Sequence, residues 1–276
     1  MNPHAAPLSS PFHLLGSLKS HRQLIFSLVR REILSRYQGS VIGLLWALIN
    51  PILMLAVYTF VFSVVFKARW GSGAIENKTE FAVLLFVGMI VHALFAEVLT
   101  RTPSVIANNV NYVKRVVFPL EILPVVTLGA ALFQACISLL VLLAAFFLFN
   151  GFVHASALLL PLVLLPLLIF TLGVAWVLAS LGVFLRDLGQ IVAVFSLILM
   201  FLSPIFYPAD ALPMPFRTWL LANPLTFMIE QSREVLIWGR MPDWKGLSLY
   251  TGIACLCASL GFAWFQKTRK GFADVL

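Results

Sequence analysis

Few side chains in this sequence could do chemistry of their own, and their spacing keeps them apart. The five histidines, His4, His13, His21, His92 and His154, are scattered, with no H-E-x-x-H pair or paired-aspartate cluster beside them. A membrane-embedded enzyme needs nucleophile, acid, base or metal ligands converging in one place, so no catalytic residue and no metal site is expected. Cys136, Cys255 and Cys257 all sit in apolar stretches, where cysteine behaves as a small hydrophobe. Cys255 and Cys257 lie two apart and point to different sides of a helix, a poor arrangement for a metal. Asp187, following Arg186, reads as a helix-end ion-pair partner. A G-x-x-x-x-G-K-[ST] loop that would cradle nucleotide phosphates is missing, and Gly71, Gly73 and Lys78 do not have that spacing.

The elements that carry these residues follow from composition. Hydrophobic residues make up 61% and charged ones 11% of the 276 residues, against about half and about a quarter in soluble domains. Such a chain belongs in a bilayer. The net charge of +8 then reads as topology signals and lipid-headgroup anchors rather than a nucleic-acid surface. Roughly 20 apolar residues cross the hydrocarbon core as a helix, which leaves room for six spans and for no large soluble domain. Uncharged runs place them at about 41–66, containing Pro51, then 81–99, 122–149, 157–184, 188–207 and 247–265. The third and fourth share one uncharged run from Ile122 to Leu185, which must fold as a hairpin with its break at Asn150, Gly151 and His154. Together, 41–266 form one transmembrane domain.

Around the spans, residues 1–20 read as a flexible cytoplasmic lead-in and 267–276 as a cytoplasmic tail. Residues 21–40 predict a moderately amphipathic interfacial helix, with Gln23, Ser27, Arg30 and Arg31 in one wedge and Leu24, Ile25, Leu28, Val29 and Ile33 opposite. Gly39 and Gly43 have a G-x-x-x-G spacing, better suited here to the turn into the first span than to dimerisation. The loop 101–119 is polar enough to leave the membrane. The semi-apolar region 208–246, broken by Pro213, Pro215, Pro224 and Pro242, predicts a re-entrant helical hairpin. With the N-terminus inside, the larger share of the 19 Lys and Arg faces the cytoplasm, which puts both termini there. The expected fold class is all-α integral membrane, with six transmembrane helices, an N-terminal interfacial helix and a re-entrant hairpin before the last span.

Ion-driven carriers keep ionisable groups near the bilayer midplane. Within the expected spans only His92 and Glu97 qualify, and Glu97 lies near the boundary and near Arg101, as a paired carboxylate would. No internal repeat is evident. The chain therefore reads as a conduit with neither motor nor ion-coupling site, whose energy must arrive by contact.

At Arg31-Glu32-Ile-Leu-Ser-Arg36-Tyr37-Gln-Gly-Ser40-Val-Ile-Gly43-Leu-Leu-Trp46-Ala-Leu-Ile-Asn50-Pro51 the sequence resembles the opening of ABC-2-type permeases that export polysaccharides. Tyr112-Val-Lys114-Arg115-Val-Val-Phe118-Pro119-Leu-Glu121, Phe184-Leu-Arg186-Asp187-Leu-Gly-Gln190 and Ser203-Pro204-Ile-Phe206-Tyr207-Pro208 agree with it. So do Asn223-Pro224-Leu225 and Arg233-Glu234, and the likeness runs from about 21 to 270. It is nearest to O-antigen exporters, with capsule and teichoic-acid exporters close by; other lipid or drug cargo remains an alternative. An ion-coupled glycolipid flippase or a membrane glycan-processing enzyme is the rival from outside the class.

The resemblance implies a homodimer bound to two copies of a nucleotide-binding ATPase subunit in the bacterial inner membrane. ATP and Mg are then held by the partner, and this chain has no cofactor and is not itself an enzyme. The implied cargo is an undecaprenyl-diphosphate-linked polysaccharide. Arg30, Arg31 and Arg36 are candidates for its pyrophosphate headgroup, since guanidinium matches phosphate oxygens bidentately; anchoring to membrane lipid phosphates is the alternative for each. Asn108, Asn109, Lys114 and Arg115, in the loop 101–119, are candidates for contact with the ATPase. Sugars lay C–H faces on aromatic rings, so Tyr58, Phe62, Phe86, Phe201, Phe206 and Tyr207 are candidates to line the glycan channel, or else to pack against lipid and helices.

Overall fold

The molecule is described from a computed structural model, over residues 11–65, 78–113, 118–215, 219–220 and 223–275. Among the described residues every regular element is a helix. They are α1 (Pro11–Ser20), α2 (Arg22–Tyr37), α3 (Trp46–Tyr58, continued by a π-helical stretch Thr59–Val65), α4 (Lys78–Arg101), α5 (Val110–Val113) and α6 (Ile122–Asn150). After them come α7 (Leu160–Phe184), α8 (Leu188–Leu202), α9 (Pro224–Leu236), α10 (Trp244–Thr268) and α11 (Phe272–Val275). Five stretches are long and apolar enough to cross a bilayer: Gly43–Phe62, Phe81–Ser104, Ile122–Asn150, Ala155–Phe184 and Trp244–Gly271. This is a multi-pass membrane protein. The apolar helix α8 is shorter, at 15 residues.

Ser17, Glu121 and Arg269 meet at one face, so both described ends of the chain lie there, and α7 and α10 run side by side in the same direction. Helix α4 is central. Its residues Phe81 to Val87 are buried, and the helix packs against α6, α7, α8, α9 and the π-helical end of α3, the pattern of a helix wrapped by others rather than facing lipid. Helices α3 and α8 instead expose broad apolar sides, Leu48, Ile52, Leu53 and Val57 on one and Ile191, Val194, Phe195 and Ile198 on the other. Helices α7 and α10 make the closest pair: a Cβ built on Gly173 would stand 2.7 Å from the Ala258 Cα, and one on Gly261 would run into the Gly173 carbonyl. Small residues there let two backbones touch.

Pro51 shows how a broken hydrogen-bond ladder is repaired inside the membrane. Proline has no N–H, so the carbonyl four residues earlier, that of Ala47, loses its helical donor. Gln134 of α6 supplies one, its Nε2 donating to the Ala47 oxygen at 3.0 Å, while its Oε1 accepts from Tyr37 Oη at 3.1 Å. One amide thus ties α2, α3 and α6 together. The glycines flanking this junction, Gly39 and Gly43, have φ of +84° and +59° with open space around them. They make the turn from α2 into the first span.

Several boundaries differ from the sequence expectation. The lead-in 1–20 is helical from Pro11 to Ser20, with Ser17 donating to Glu121. The tail 267–276 is no free strand of chain either: α10 continues to Thr268, and the turn beyond it buries Phe272 against Phe265 and Phe184. The fifth span, expected at 188–207, stays helical only to Leu202, because Ser203-Pro204 cannot continue it. The interfacial helix leaves Gln23, Ser27, Arg30 and Arg31 exposed, while Leu24, Ile25, Leu28 and Val29 pack on Ile122 and Val126 of α6 rather than lying on lipid alone.

Replacing Gln134 by Leu is expected to cost about 1 kcal/mol, the scale of an intramembrane hydrogen bond. In a Pro51→Ala background, where a backbone N–H returns to Ala47, the same change should cost less. Thermal unfolding of the four proteins in detergent measures this non-additivity; equal costs in both backgrounds would show that Gln134 does not stand in for the missing donor.

Candidate functional site

The face bearing both described ends gathers most of the described charged residues. Arg31, on the exposed side of α2, donates from Nη1 to Tyr112 Oη at 2.8 Å, with its guanidinium carbon 5.8 Å from the Tyr112 ring centroid. Tyr112 stacks on Phe118 at 4.2 Å. No carboxylate pairs with Arg31 among the described residues. Arg36, one turn and a half further on, is different. Its Nη1 lies 2.5 Å from Glu97 Oε1 and its Nε 3.9 Å from Glu32, while Arg101 approaches Glu32 and Glu97 at 3.4 Å each. Two guanidinium groups face two carboxylates, so this cluster is neutral, and Arg31 beside it adds a positive charge that no carboxylate among the described residues neutralises.

Arg36, a headgroup candidate from the sequence, is thus engaged by Glu97 and Glu32, whereas Arg31 is not. Arg36 is a mostly buried bridge from α2 to the base of α4, and its Nε and Nη2 are both left without a hydrogen-bond partner. Arg30 is exposed on the same helix. Glu97 is the paired carboxylate that its place beside Arg101 suggested. His92, the other ionisable group of that span, is buried and its Nε2 lies 3.1 Å from the Ser196 carbonyl of α8, which fixes the proton on that nitrogen.

Between α2, the loop after α4 and α6 lies a cleft of about 170 Å³, lined among others by Arg31, Glu32, Arg101, Asn108, Asn109 and Thr127. The loop is folded as two 3₁₀ turns, Thr102–Ser104 and Ala107–Asn109, followed by α5. Asn108 donates to Ser104 Oγ at 3.3 Å and Asn109 to the Val105 carbonyl at 2.8 Å, so both close the loop's own turns while edging the cleft. The first turn is pressed onto α7: a Cβ on Gly182 would collide with the Pro103 carbonyl. Lys114 and Arg115 lie outside the described residues.

At the opposite face the sequence motifs that looked separate meet. Asn223 caps α9 through the Leu225 N–H at 2.9 Å, with Pro224 in the first turn, where a missing N–H costs nothing. Its Nδ2 donates to Leu202 O and Ser203 Oγ, closing the end of α8. Arg233 is wholly buried. It donates from Nε to the Leu84 carbonyl, from Nη1 to Pro204 O and Glu230, and from Nη2 to Ile205 O, at 2.7 to 3.2 Å. The turn that follows α8 is thus held on both sides by polar side chains.

That turn carries aromatic rings. Phe206 stacks with Phe201 at 5.7 Å and with Phe62 at 6.3 Å, and Phe62 reaches Phe81 at 5.4 Å. Tyr207 Oη donates to the Phe201 carbonyl at 3.0 Å. Of the six rings proposed from sequence, Phe62, Phe201, Phe206 and Tyr207 are brought together, and Tyr58 packs half-buried on the same core. Phe86 is corrected: at 4% exposure within that core it offers no face to a sugar.

Sequence reasoning missed Gln134 and the Glu121–Arg269 pair, and it noted Arg233 and Asn223 only as letters in a motif. A lone polar residue within an uncharged run was the available signal for Gln134. No cluster of His, Cys, Asp or Glu that could hold a metal occurs among the described residues.

Residues 23–237 match the ABC-2 type transporter family. The chain is 28% identical to the O-antigen export system permease protein RfbA of Myxococcus xanthus, over 95% of this chain and 98% of the relative. A Klebsiella pneumoniae protein of the same name is 27% identical over 92% and 95%, and the polysialic acid transport protein KpsM of Escherichia coli is 24% identical over 88% and 92%.

Two substitutions separate structural from available cations. Arg36→Met should leave the half-buried Glu97 with Arg101 alone and lower stability by roughly 1–3 kcal/mol, whereas Arg31→Ala, which breaks no ion pair, should stay within about 0.5 kcal/mol. Arg233→Leu leaves the Pro204 and Ile205 carbonyls unpaired and should cost about 2–4 kcal/mol. Melting temperatures in detergent decide each; an Arg31 variant as unstable as the Arg36 one would erase the distinction.

Proposed function

The chain belongs to the ABC-2 type transporter family, and from that premise we propose that it is the transmembrane permease subunit of an ABC exporter for a lipid-linked polysaccharide. The cargo of this reading is an undecaprenyl-diphosphate-linked glycan of O-antigen type, moved across the bacterial inner membrane by ATP hydrolysis in a separate subunit. The observation that carries it is the likeness to O-antigen export permeases over nearly the whole of both chains. Two copies of the chain form the pathway and two ATPase subunits, holding ATP and Mg, drive it. Both termini face the cytoplasm, in line with the excess of Lys and Arg on that side. Helix α8 with the turn to Tyr207 is the fifth of six crossings, and 208–246, with α9, is re-entrant.

In this reading Arg31 meets the headgroup diphosphate at the cytoplasmic cleft. A guanidinium that carries charge no carboxylate has neutralised retains its attraction for phosphate oxygens. Arg30 assists from the outer edge of α2, and Arg36 keeps α2 in place. The loop with Asn108, Asn109, Lys114 and Arg115 receives the ATPase. Phe62, Phe201, Phe206 and Tyr207, with Tyr58 beside them, offer ring faces to sugars near the periplasmic exit. The likeness to a polysialic acid transport protein favours a capsule-type glycan as the second reading of the cargo.

Two measurements test this. Vesicles holding the permease alone should move no glycan, and adding the ATPase subunit with ATP should start transport; uphill transport by the permease alone would sink the proposal. Arg31→Ala should lower export about tenfold at unchanged protein level, the scale of one charge-assisted contact. Full export by that variant would remove Arg31 from headgroup recognition.

A further inference from the structure

Glu121, at the end of the loop, takes part in none of the roles assigned above, yet it bonds to three separate elements of the fold. It is 7% exposed. One carboxylate oxygen accepts from Ser17 Oγ at 3.1 Å and the other from Arg269 Nη1 at 3.0 Å. Arg269 Nη2 goes on to the Phe118 carbonyl at 3.0 Å, and the Glu121 carbonyl accepts from Trp176 Nε1 at 3.0 Å. A single loop residue is thereby fastened to α1, to α7 and to the end of α10. The turn Arg269–Gly271 that presents Arg269 is itself seated by Phe272, fully buried between Phe265 and Phe184.

We propose that the Glu121–Arg269 pair is the joint that passes displacement of the loop into the α7–α10 pair, so that the two residues position these helices for transport. The proposal rests on the reading that the loop receives the stroke of an ATPase. Three features carry it. The carboxylate is shielded from water, so parting it from Arg269 leaves a buried charge unpaired, and the two elements move together. The α7–α10 interface is backbone against backbone at Gly173, Ala258 and Gly261, which leaves no slack for one helix to slide on the other. The other end of the loop touches α7 through Pro103 on Gly182 and α2 through the Arg101–Glu32 pair. Of these two, the Pro103 contact bears chiefly on α7 and the ion pair leads to the interfacial helix. Among the described residues, the loop's ion pair to the end of α10 is the one made at Glu121.

The test uses the complex of permease and ATPase in vesicles, with ATP hydrolysis and glycan transport read side by side for the unaltered protein, Arg269→Met and Arg269→Lys. Arg269→Met is expected to hydrolyse ATP within about twofold of the unaltered complex while glycan moved per ATP falls about tenfold or more, and Arg269→Lys should recover part of that ratio. Glu121→Gln, which keeps an acceptor for Ser17, should uncouple in the same sense. An unchanged glycan-to-ATP ratio in Arg269→Met overturns the proposal. So does a loss of transport that merely follows reduced protein level or melting temperature, since that marks a structural pin. If the unaltered complex moves no glycan on ATP, the functional reading fails with it, an outcome visible before any variant is compared.

Discussion

Inside a bilayer a carbonyl that loses its helical donor has no water to turn to, and this fold is arranged around that fact. The sequence puts prolines where helices must bend or end, and each puts carbonyls at risk. Ala47, four residues before Pro51, finds the amide of Gln134. Pro204 and Ile205, in the turn after α8, find the guanidinium of Arg233, and Leu202 finds Asn223. The donors come from distant parts of the chain, so satisfying one break also fixes the packing of two or three helices. Polar residues that look like blemishes in apolar runs are the ones that set tertiary structure.

The same logic separates two kinds of cation at the face bearing both ends. Arg36, Arg101 and Arg269 have carboxylate partners in Glu97, Glu32 and Glu121, and they hold helices to one another. Arg31 has an aromatic hydroxyl instead and keeps its charge. The first kind fixes helices to one another, and the second leaves a positive charge available at the cleft. The aromatic rings around Phe206 lie at the other face, where they are mounted on the turn that Arg233 and Asn223 secure.

How much of this was legible beforehand depended on whether the signal was local. Uncharged runs locate the long helices because crossing hydrocarbon needs a fixed length of apolar chain, and Asn150-Gly151 marks the turn between α6 and α7, with Gly151 at φ +78°. The exposed wedge of α2 follows from the helical wheel. Pairings such as Arg36 with Glu97 or Glu121 with Arg269 are not local. They depend on which helices become neighbours, and nothing in the spacing of residues far apart in sequence states that. The end of α8 was misplaced because Ile205 to Tyr207 are as apolar as a span, while Ser203-Pro204 had already stopped the helix. Phe86 was misjudged for a related reason: hydropathy does not tell a ring facing a path from one enclosed by helices.

The brevity of α8 reaches beyond the protein. Its 15 residues provide about 22 Å of apolar rod, whereas a typical hydrocarbon core is about 30 Å deep. Its outward side, with Ile191, Val194, Phe195 and Ile198, is greasy along its length, so any acyl chains that wet it must shorten or splay to match. Lipid that meets this side is therefore thinned to match the shorter rod, a local mismatch that the longer helices around it do not impose.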